Sequence, residues 1–240
     1  MQLAGKTILL TGGTDGIGRE MALQLKAKGA TCILTGRNAD RCVAMSAQGF
    51  EVISADLSSQ AGVDAVVAGV AGRPIDILVN NAGAGSDHDF REGAPDLADN
   101  DRCIFLNLNA PMHLTTRLMD DLRARPEAMI VNVTSGLAIA PRAGGPVYCA
   151  TKAGLRSYTL ALRAQLAGTN IHVLEALPPV VETKLTAGRG NRKMAPGDCA
   201  RQIVSAMERS ANEANVGMVK LLQLFHSISP ALARKIMLRF

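Results

Sequence analysis

Three residues carry side chains that could move a proton to or from a carbonyl oxygen: Ser135, Tyr148 and Lys152. Tyr148 and Lys152 stand four residues apart in a helical pattern, so both side chains project from one face of the helix. A neighbouring ammonium lowers the pKa of a tyrosine from its ordinary value of about 10 toward neutrality. Such a tyrosine can act as a general acid or base, and Ser135 can hydrogen-bond the same oxygen. The alternative interpretation is a core tyrosine beside a surface lysine.

A glycine-rich turn, TGGTDGIG at residues 11–18, follows the first predicted strand and opens a helix. Such a turn lets the backbone approach a pyrophosphate, which the helix N-terminus attracts. A turn that only closes the chain is the alternative, but its place after the first strand favours nucleotide binding. We expect the contacts to come from Gly12, Thr14, Asp15, Gly16, Ile17 and Gly18.

The second predicted strand ends in LTGRN, which places Gly36 and Arg37 about 20 residues after the glycine turn. An acidic residue at this point binds the adenosine ribose of NAD, whereas an arginine accepts the 2′-phosphate of NADP. Because Gly36 takes the place of the acid, the sequence favours NADP(H), with NAD(H) as the second candidate. Alternatively Arg37 is a solvated turn residue, since the glycine turn offers no second basic residue.

Short apolar strands alternate with helical patterns along most of the chain. The strands are predicted at 6–11, 30–35, 51–55, 75–80, 128–134 and 170–177, and the helices at 17–28, 39–47, 60–71, 101–124 and 148–167. This alternation predicts an α/β fold with a single doubly wound parallel sheet and helices on both faces. Ligands bind beyond the carboxyl ends of such strands, where the residues discussed above all fall. We expect one domain over residues 1–240, in which 184–240 form a lid and C-terminal extension.

Four motifs together resemble the short-chain dehydrogenase/reductase family. They are TGGTDGIG (11–18), NNAG (80–83), NVTS ending at Ser135, and YCATK (148–152). The resemblance covers about residues 3–183 and implies a Rossmann-type sheet of about seven strands. It also implies hydride exchange between a nicotinamide and an alcohol or carbonyl carbon. Over its whole length, the chain is most similar to a subgroup of bacterial oxidoreductases like the D-alanine-transfer-operon reductase.

The resemblance also implies a role for each matching residue. Tyr148 matches the catalytic acid/base, Lys152 the lysine that holds the nicotinamide ribose, and Ser135 the residue that positions the substrate oxygen. Asn107 matches the member of a proton relay, whereas Asn109 is expected on a helix surface or interface. Further cofactor contacts are implied for Asp56, Leu57, Asn81, Ala82, Gly83, Pro178, Val181 and Thr183, while Asn80 would tie neighbouring strands together.

The chain departs from the family pattern after the sixth strand. Pro178-Pro179 stands where the family has Pro-Gly, and a second proline fixes φ and removes an N–H, so we expect a stiffer hinge for the lid. The C-terminal end is also expected to lack the common last strand of the family.

The formal net charge of +5 is unevenly distributed. Residues 1–183 hold 16 Lys/Arg and 18 Asp/Glu, whereas residues 184–240 hold 10 Lys/Arg and 3 Asp/Glu. Arg142, Arg189, Arg192 and Lys193 are candidates to meet an anionic substrate, or they belong to solvated loops. The apolar and basic tail LLQLFHSISPALARKIMLRF could cap the site, pack on a second subunit or rest on a membrane. A cap or an interface is favoured, because mixed helices pack on protein more often than on lipid.

Composition excludes several classes of protein. Aromatic residues make up 3% of the chain and tryptophan is absent, which argues against nucleic-acid binding by base stacking. The five cysteines are scattered without a CxxC pair, which argues against a disulfide framework or metal site and favours a reducing compartment. No signal-type N-terminus and no run of 18 apolar residues is present, so a cytoplasmic location is expected.

The sequence thus predicts an NAD(P)-dependent oxidoreductase that acts on a small carbonyl or secondary alcohol. The alternatives are a nucleotide-binding sensor without turnover and a peripheral membrane protein. The resemblance implies a homodimer or homotetramer that pairs through the helices at 101–124 and 148–167.

Overall fold

The computed structural model describes residues 1–186 and 193–239. Seven parallel strands form one sheet in the order β3-β2-β1-β4-β5-β6-β7. The strands are β1 Thr7–Leu10, β2 Thr31–Gly36, β3 Glu51–Ser54, β4 Ile77–Asn80, β5 Ala128–Val133, β6 Ile171–Leu177 and β7 Glu213–Asn215. All six strands predicted from the sequence are present, and the doubly wound α/β fold is confirmed.

The prediction that the chain lacks a last strand is wrong. Strand β7 pairs parallel with β6 in the register Glu175–Glu213, Ala176–Ala214 and Leu177–Asn215. It has only three residues, of which Ala214 alone is buried. A strand this short carries too few apolar positions to produce an alternating pattern, so the sequence did not indicate it.

Helices cover both faces of the sheet. They are α1 Gly16–Ala27, α2 Ala39–Ser46, α3 Gln60–Val70, α4 Leu97–Ile104, α5 Ala110–Arg117, α6 Met119–Arg123, α7 Pro146–Gln165, α8 Pro196–Glu208, α9 Val219–Ile228 and α10 Pro230–Met237. Successive strand residues alternate between two apolar cores: Ile8 and Leu10 pack with α1 and α8, and Leu9 packs with α3, α5 and α7. Burial on both faces explains why the strands read as continuous apolar runs.

The helical pattern predicted at 101–124 is present as a nearly continuous helical run over residues 97–123, which is irregular at two points. A π-helical turn, Phe105–Asn109, separates α4 from α5, and Leu118 separates α5 from α6. Pro111 explains the first irregularity: it has no N–H for the carbonyl of Asn107, and its ring would collide with that carbonyl in a regular helix. The widened turn relieves this crowding, and the Ala110 N–H bonds back to the Phe105 carbonyl.

The chain reverses its direction of winding between β1 and β4, which lie side by side in the sheet. The Oγ1 of Thr11, just after β1, accepts hydrogen bonds from the backbone N–H groups of Asn81 (2.9 Å) and Ala82 (3.0 Å). The amide of Asn81 donates to the Thr11 carbonyl at 2.9 Å. These bonds hold the glycine turn against NNAG at the crevice where open α/β sheets bind ligands.

All five cysteines are buried as thiols: Cys32, Cys42, Cys103, Cys149 and Cys199. Within residues 1–186 and 193–239, none of the helices has the length and apolar character needed to cross a membrane.

Candidate active site

The glycine turn begins with a residue that only glycine suits. Gly12 has φ +64, and a Cβ there would lie 2.9 Å from the Cα of Ala82. A Cβ on Gly18 would lie 2.2 Å from the Gly12 carbonyl oxygen, so the first turn of α1 needs a glycine to approach the strand end. Asp15 caps α1 by accepting a hydrogen bond from the Gly16 N–H at 2.9 Å. The turn is thus shaped to bring backbone N–H groups and the helix N-terminus to an anion.

Other predicted cofactor residues lie around this turn. The side chain of Thr14 lies against Gly36 at the end of β2, and Cγ2 of Thr183 lies 3.1 Å from the ideal Cβ position on Gly16. The side chains of Ile17 and Leu57, in contrast, pack into the two apolar cores. These two residues therefore offer a ligand backbone groups rather than side chains.

Two arginines stand at the outer end of the crevice. Arg37 Nη1 lies 3.5 Å from Asp56 Oδ2, and Arg41 Nη1 lies 2.6 Å from Asp15 Oδ2. Partial burial opposes ionisation of Asp56, but hydrogen bonds from Ser58 and the charge of Arg37 outweigh it and lower the carboxyl pKa. The glycine turn itself offers no second basic residue, as the sequence indicated, but Arg41 supplies one from α2. Arg41 was missed because it lies outside the glycine turn, although its spacing of four from Arg37 places it one helical turn onward.

Lys152 and Tyr148 lie together on α7 at the inner end of the crevice. Lys152 Nζ lies 5.8 Å from the centroid of the Tyr148 ring and donates to the Val133 carbonyl at 3.0 Å. Both side chains are buried. Burial lowers the pKa of Lys152 to about 8, with the nearby Cys103 thiol acting weakly in the opposite direction. Ser135 follows β5, and its Oγ accepts from the Leu137 N–H at 3.1 Å.

Asn107 reaches the same place from the π turn. Its Oδ1 accepts from the Ala84 N–H at 3.1 Å, and its Nδ2 donates to the Ala84 carbonyl at 2.8 Å and to Cys103 Sγ at 3.2 Å. A Cβ on Gly83 would lie 2.9 Å from Asn107 Oδ1 and 3.5 Å from Lys152 Nζ. The structure therefore brings Asn107, Gly83 and Lys152 together, whereas Asn109 lies at the far end of the π turn, half-buried.

Buried amides join the strands behind the site. Asn80 Nδ2 donates to Asn132 Oδ1 at 2.8 Å, and Asn132 Nδ2 donates to Thr159 Oγ1 on α7 at 2.9 Å. Asn80 thus ties β4 to β5, as expected, and the chain of bonds extends to the helix that carries Tyr148.

A buried ionic cluster, not predicted from the sequence, supports the same elements. Glu175 on β6 is fully buried; Thr134 Oγ1 donates to it at 2.7 Å and Arg156 Nη1 at 2.6 Å. Arg156 also donates to Glu213 on β7 at 3.2 Å. Burial raises the pKa of Glu175, against the lowering by Thr134 and Arg156. The cluster holds β7, α7 and the residue before Ser135 together; a lone glutamate inside the apolar run NIHVLEAL was its only sign in the sequence.

Arg142, predicted to meet substrate, forms an ion pair with Asp87. Its guanidinium lies over Gly144 and Gly145, 2.9 Å from the position of a Cβ on either residue. A cavity of about 460 Å³ runs beside Asp87, from Arg37 and Ser58 to Cys103 and Leu106. Lys193 donates to the Thr186 carbonyl at 2.6 Å, and the other two predicted cations, Arg189 and Arg192, lie outside the described residues.

The segment after β6 packs against the turn that follows β5. The Pro178 carbonyl accepts from the Gly136 N–H at 3.0 Å, and Val181 forms a parallel bridge with Met194. In the described part of the chain, no group of three or more His, Cys, Asp or Glu side chains is arranged to hold a metal ion.

This arrangement agrees with comparisons to known proteins. The sequence model of the short chain dehydrogenase family matches residues 6–193, and the chain belongs to this family of oxidoreductases. It is 39% identical over 189 residues to an uncharacterized oxidoreductase, DltE, of Bacillus subtilis (strain 168); the match covers 77% of this chain and 75% of the relative. The predicted resemblance, including the subgroup, is confirmed.

Solved structures show the same architecture. A short chain dehydrogenase from Burkholderia cenocepacia J2315, in complex with NADP, superimposes with a TM-score of 0.89 at 22% identity and covers 99% of both chains. L-Sorbose reductase from Gluconobacter frateurii, complexed with NADPH and L-sorbose, gives a TM-score of 0.79 at 28% identity and covers 92% of this chain and 99% of that one.

Proposed function

We propose that this protein transfers hydride between NADP(H) and a small carbonyl or secondary alcohol, with Tyr148 as the general acid/base. One observation carries the proposal. The buried ammonium of Lys152 lies beside the Tyr148 ring, on the edge of the sheet that also holds Ser135, Asn107 and the glycine turn. A sensor that only binds nucleotide has no need of this arrangement.

The residues at the crevice fit the cofactor. The glycine turn leaves room for a pyrophosphate at the N-terminus of α1, and Arg37 and Arg41 stand where a 2′-phosphate would be bound. A phosphate would take the place of Asp56 and Asp15 as the partner of the two guanidinium groups. The related L-sorbose reductase was solved with NADPH, which supports NADP(H) as the first cofactor and leaves NAD(H) as the second.

When bound, the nicotinamide would supply or accept the hydride, and side chains of the protein would transfer the proton. Ser135 Oγ donates a hydrogen bond to the substrate oxygen and holds it beside Tyr148. In the reductive direction the Tyr148 hydroxyl gives its proton to that oxygen, and in the oxidative direction the phenolate takes it back. The Lys152 ammonium, buried beside the Tyr148 ring, stabilises the phenolate that forms when the proton leaves. The Asn107 carbonyl, left without an N–H from Pro111, is an acceptor that can extend a proton path to solvent.

Several expectations from the sequence join this proposal. We propose that residues 184–240 form a lid and extension of one domain, and that substrate binds near Asp87, which lines the cavity and pairs with Arg142. We also propose that the subunits pair as a homodimer or homotetramer, as the resemblance to the family implies.

The test compares the two tyrosines of the chain, Tyr148 and Tyr158, which both lie on α7. Oxidation of NADPH and of NADH is followed with a panel of ketones, ketoses and 3-oxo acids for Tyr148→Phe, Tyr158→Phe and the unaltered protein. We expect Tyr148→Phe to reduce kcat by roughly 10²- to 10⁴-fold, and Tyr158→Phe to retain activity. NADPH affinity should stay within about twofold in both, because neither substitution removes a group from the phosphate end of the crevice.

Activity of Tyr148→Phe close to that of the unaltered protein would contradict the role of Tyr148. Tight NADPH binding without turnover across the whole panel would favour the nucleotide sensor instead.

A further inference from the structure

The C-terminal helices α9 and α10 expose an apolar surface that the fold does not use. Large apolar side chains exposed by 41–75% are concentrated between residues 218 and 238. We define this surface as the tail face; it consists of Met218, Leu221, Leu224, Ile228, Leu232, Ile236 and Leu238. Only six other large apolar residues are exposed in the rest of the described chain, spread between residues 43 and 180.

The tail face is separate from the side on which α9 packs. Val219 is buried, and it and Leu222 lie 3.0 and 3.6 Å from the position of a Cβ on Gly136, next to Ser135. Leu221, Leu224 and Ile228 follow a spacing of three and four, so they form a second apolar stripe on the same helix. One side of α9 therefore packs against the edge of the sheet, while the opposite side exposes apolar residues to solvent. On α10, which packs against α9, Leu232 and Ile236 are exposed with a spacing of four and add to the apolar surface of the tail.

The charged residues within the tail segment are all basic. Lys220, Arg234, Lys235 and Arg239 lie within this segment, and the sequence contains no Asp or Glu after Glu213. Lys220, Arg234 and Lys235 form no ion pair with any residue of 1–186 or 193–239. Apolar residues on one face bordered by unneutralised cations are the composition of helices that lie in the surface of an anionic membrane.

We propose that α9 and α10 dock the protein onto an anionic lipid surface through the tail face. The apolar residues would enter the boundary between headgroups and acyl chains, while the four cations meet lipid phosphates. A second copy of the chain fits less well, because apposing two tail faces would bring eight cations together without a carboxylate from either segment. Because α9 also contacts the turn after Ser135, docking would set the substrate edge of the sheet close to the lipid.

The test is co-sedimentation of the full chain with vesicles of phosphatidylcholine, with or without one-third phosphatidylglycerol. We expect roughly tenfold more protein to pellet with the anionic vesicles, and high salt to reverse most of this gain, because the attraction falls within a Debye length. Two double variants test the two contributions to binding separately. Leu224→Gln/Ile228→Gln removes apolar contact with the lipid, and Arg234→Gln/Lys235→Gln removes attraction to the lipid phosphates. Each should reduce pelleting about fivefold or more.

Matched controls lie on other helices. Val43→Gln replaces an apolar residue that is 68% exposed on α2, and Arg123→Gln replaces an exposed cation on α6. Neither should alter pelleting, and thermal unfolding should show that all variants are folded. The proposal fails if anionic vesicles pellet no more protein than neutral ones, or if the tail variants pellet like the controls. It also fails if Leu224→Gln/Ile228→Gln dissociates an oligomer, as measured by light scattering, because a second copy then covers the face.

Discussion

The cations of the active-site edge and those of the tail differ in what lies beside them. Around the site, Arg37, Arg41 and Arg142 each face a carboxylate, and Arg156 faces two. In the tail, Lys220, Arg234 and Lys235 face none among the described residues. The four cations near the site are neutralised by carboxylates of the protein, whereas, in the part of the chain that the structure describes, these three tail cations are not.

The difference has an energetic meaning. A paired cation near a binding crevice is held in place before the ligand arrives. An anionic ligand then replaces the carboxylate of the protein as the partner of that cation. A cation without a pair on a solvated helix costs little and is available to any anionic surface. Removing cations should therefore change stability and cofactor binding strongly near the site and very little in the tail.

The largest effect is expected at Arg156, the cation of the buried cluster. Arg156→Met leaves Glu175 as a buried carboxylate with only Thr134 as its side-chain donor, which should lower the free energy of unfolding by about 3 kcal/mol at neutral pH. The loss should shrink as pH falls, because protonation of Glu175 removes the need for a cation and its pKa is already raised. Urea unfolding at pH 5 and pH 8 measures this, and equal losses at the two pH values would contradict the explanation.

A second effect is expected at Lys152, where burial works against the charge. Its pKa is about 8 in the folded chain against 10.5 unfolded, so the protonated form costs free energy at every pH below 8. Lys152→Met should therefore raise the unfolding free energy of the cofactor-free protein at pH 7 by roughly 2 kcal/mol, while turnover is lost. The gain should disappear between pH 8 and 10.5, where the folded unaltered protein has released the proton that the unfolded chain still holds. A gain that persists unchanged above pH 10.5 would point to better packing by methionine rather than to relief of a buried charge.

A third effect concerns cofactor choice at the outer end of the crevice. Arg37→Ala should weaken NADPH binding about tenfold and leave NADH binding unchanged, because the guanidinium meets only the 2′-phosphate. Arg41→Ala should act in the same direction by about threefold, since Asp15 competes for this arginine. Fluorescence titration with both cofactors distinguishes the outcomes: equal weakening of NADPH and NADH would show that these residues act through the shape of the crevice.

The smallest effect is expected in the tail. Arg234→Gln/Lys235→Gln should change the free energy of unfolding by less than about 0.5 kcal/mol, because these side chains have no ion pair to lose in the described structure. Urea unfolding beside Arg156→Met measures the contrast directly. A loss above 1 kcal/mol would mean that the tail cations are used inside the fold and are not available to a partner.

The sequence was sufficient to predict the features that depend on residues close together in the chain. Apolar runs predicted six strands, and the fixed spacing of Ser135, Tyr148 and Lys152 identified side chains that the structure brings to one edge. It failed where the outcome depends on contacts distant in the chain. The three-residue strand β7 exists because β6 offers it an edge, and Glu175 is tolerated in an apolar strand because Arg156 reaches it from α7.

Two local features, the π turn before Pro111 and the position of Arg41, were also not predicted. The apolar spacing at 101–124 predicts a regular helix that includes Pro111. Because Pro111 has no N–H to donate, the helix widens into the π turn, in which Asn107 is buried. Arg41 lies in the predicted helix at 39–47, and nothing in the local sequence indicates that Asp15 lies opposite it.

Chemical modification of the five buried thiols can report local opening of the elements that contain them. They are distributed one each over β2, α2, α4, α7 and α8. Burial raises the pKa of Cys32 and of Cys199 to about 12, so in the native state neither forms the thiolate that oxidants and alkylating reagents attack. Modification of such a thiol requires the surrounding element to open, and the rate at each cysteine then measures how often that element does so. An oxidant added to the purified protein should therefore spare folded molecules and modify those that are partly unfolded.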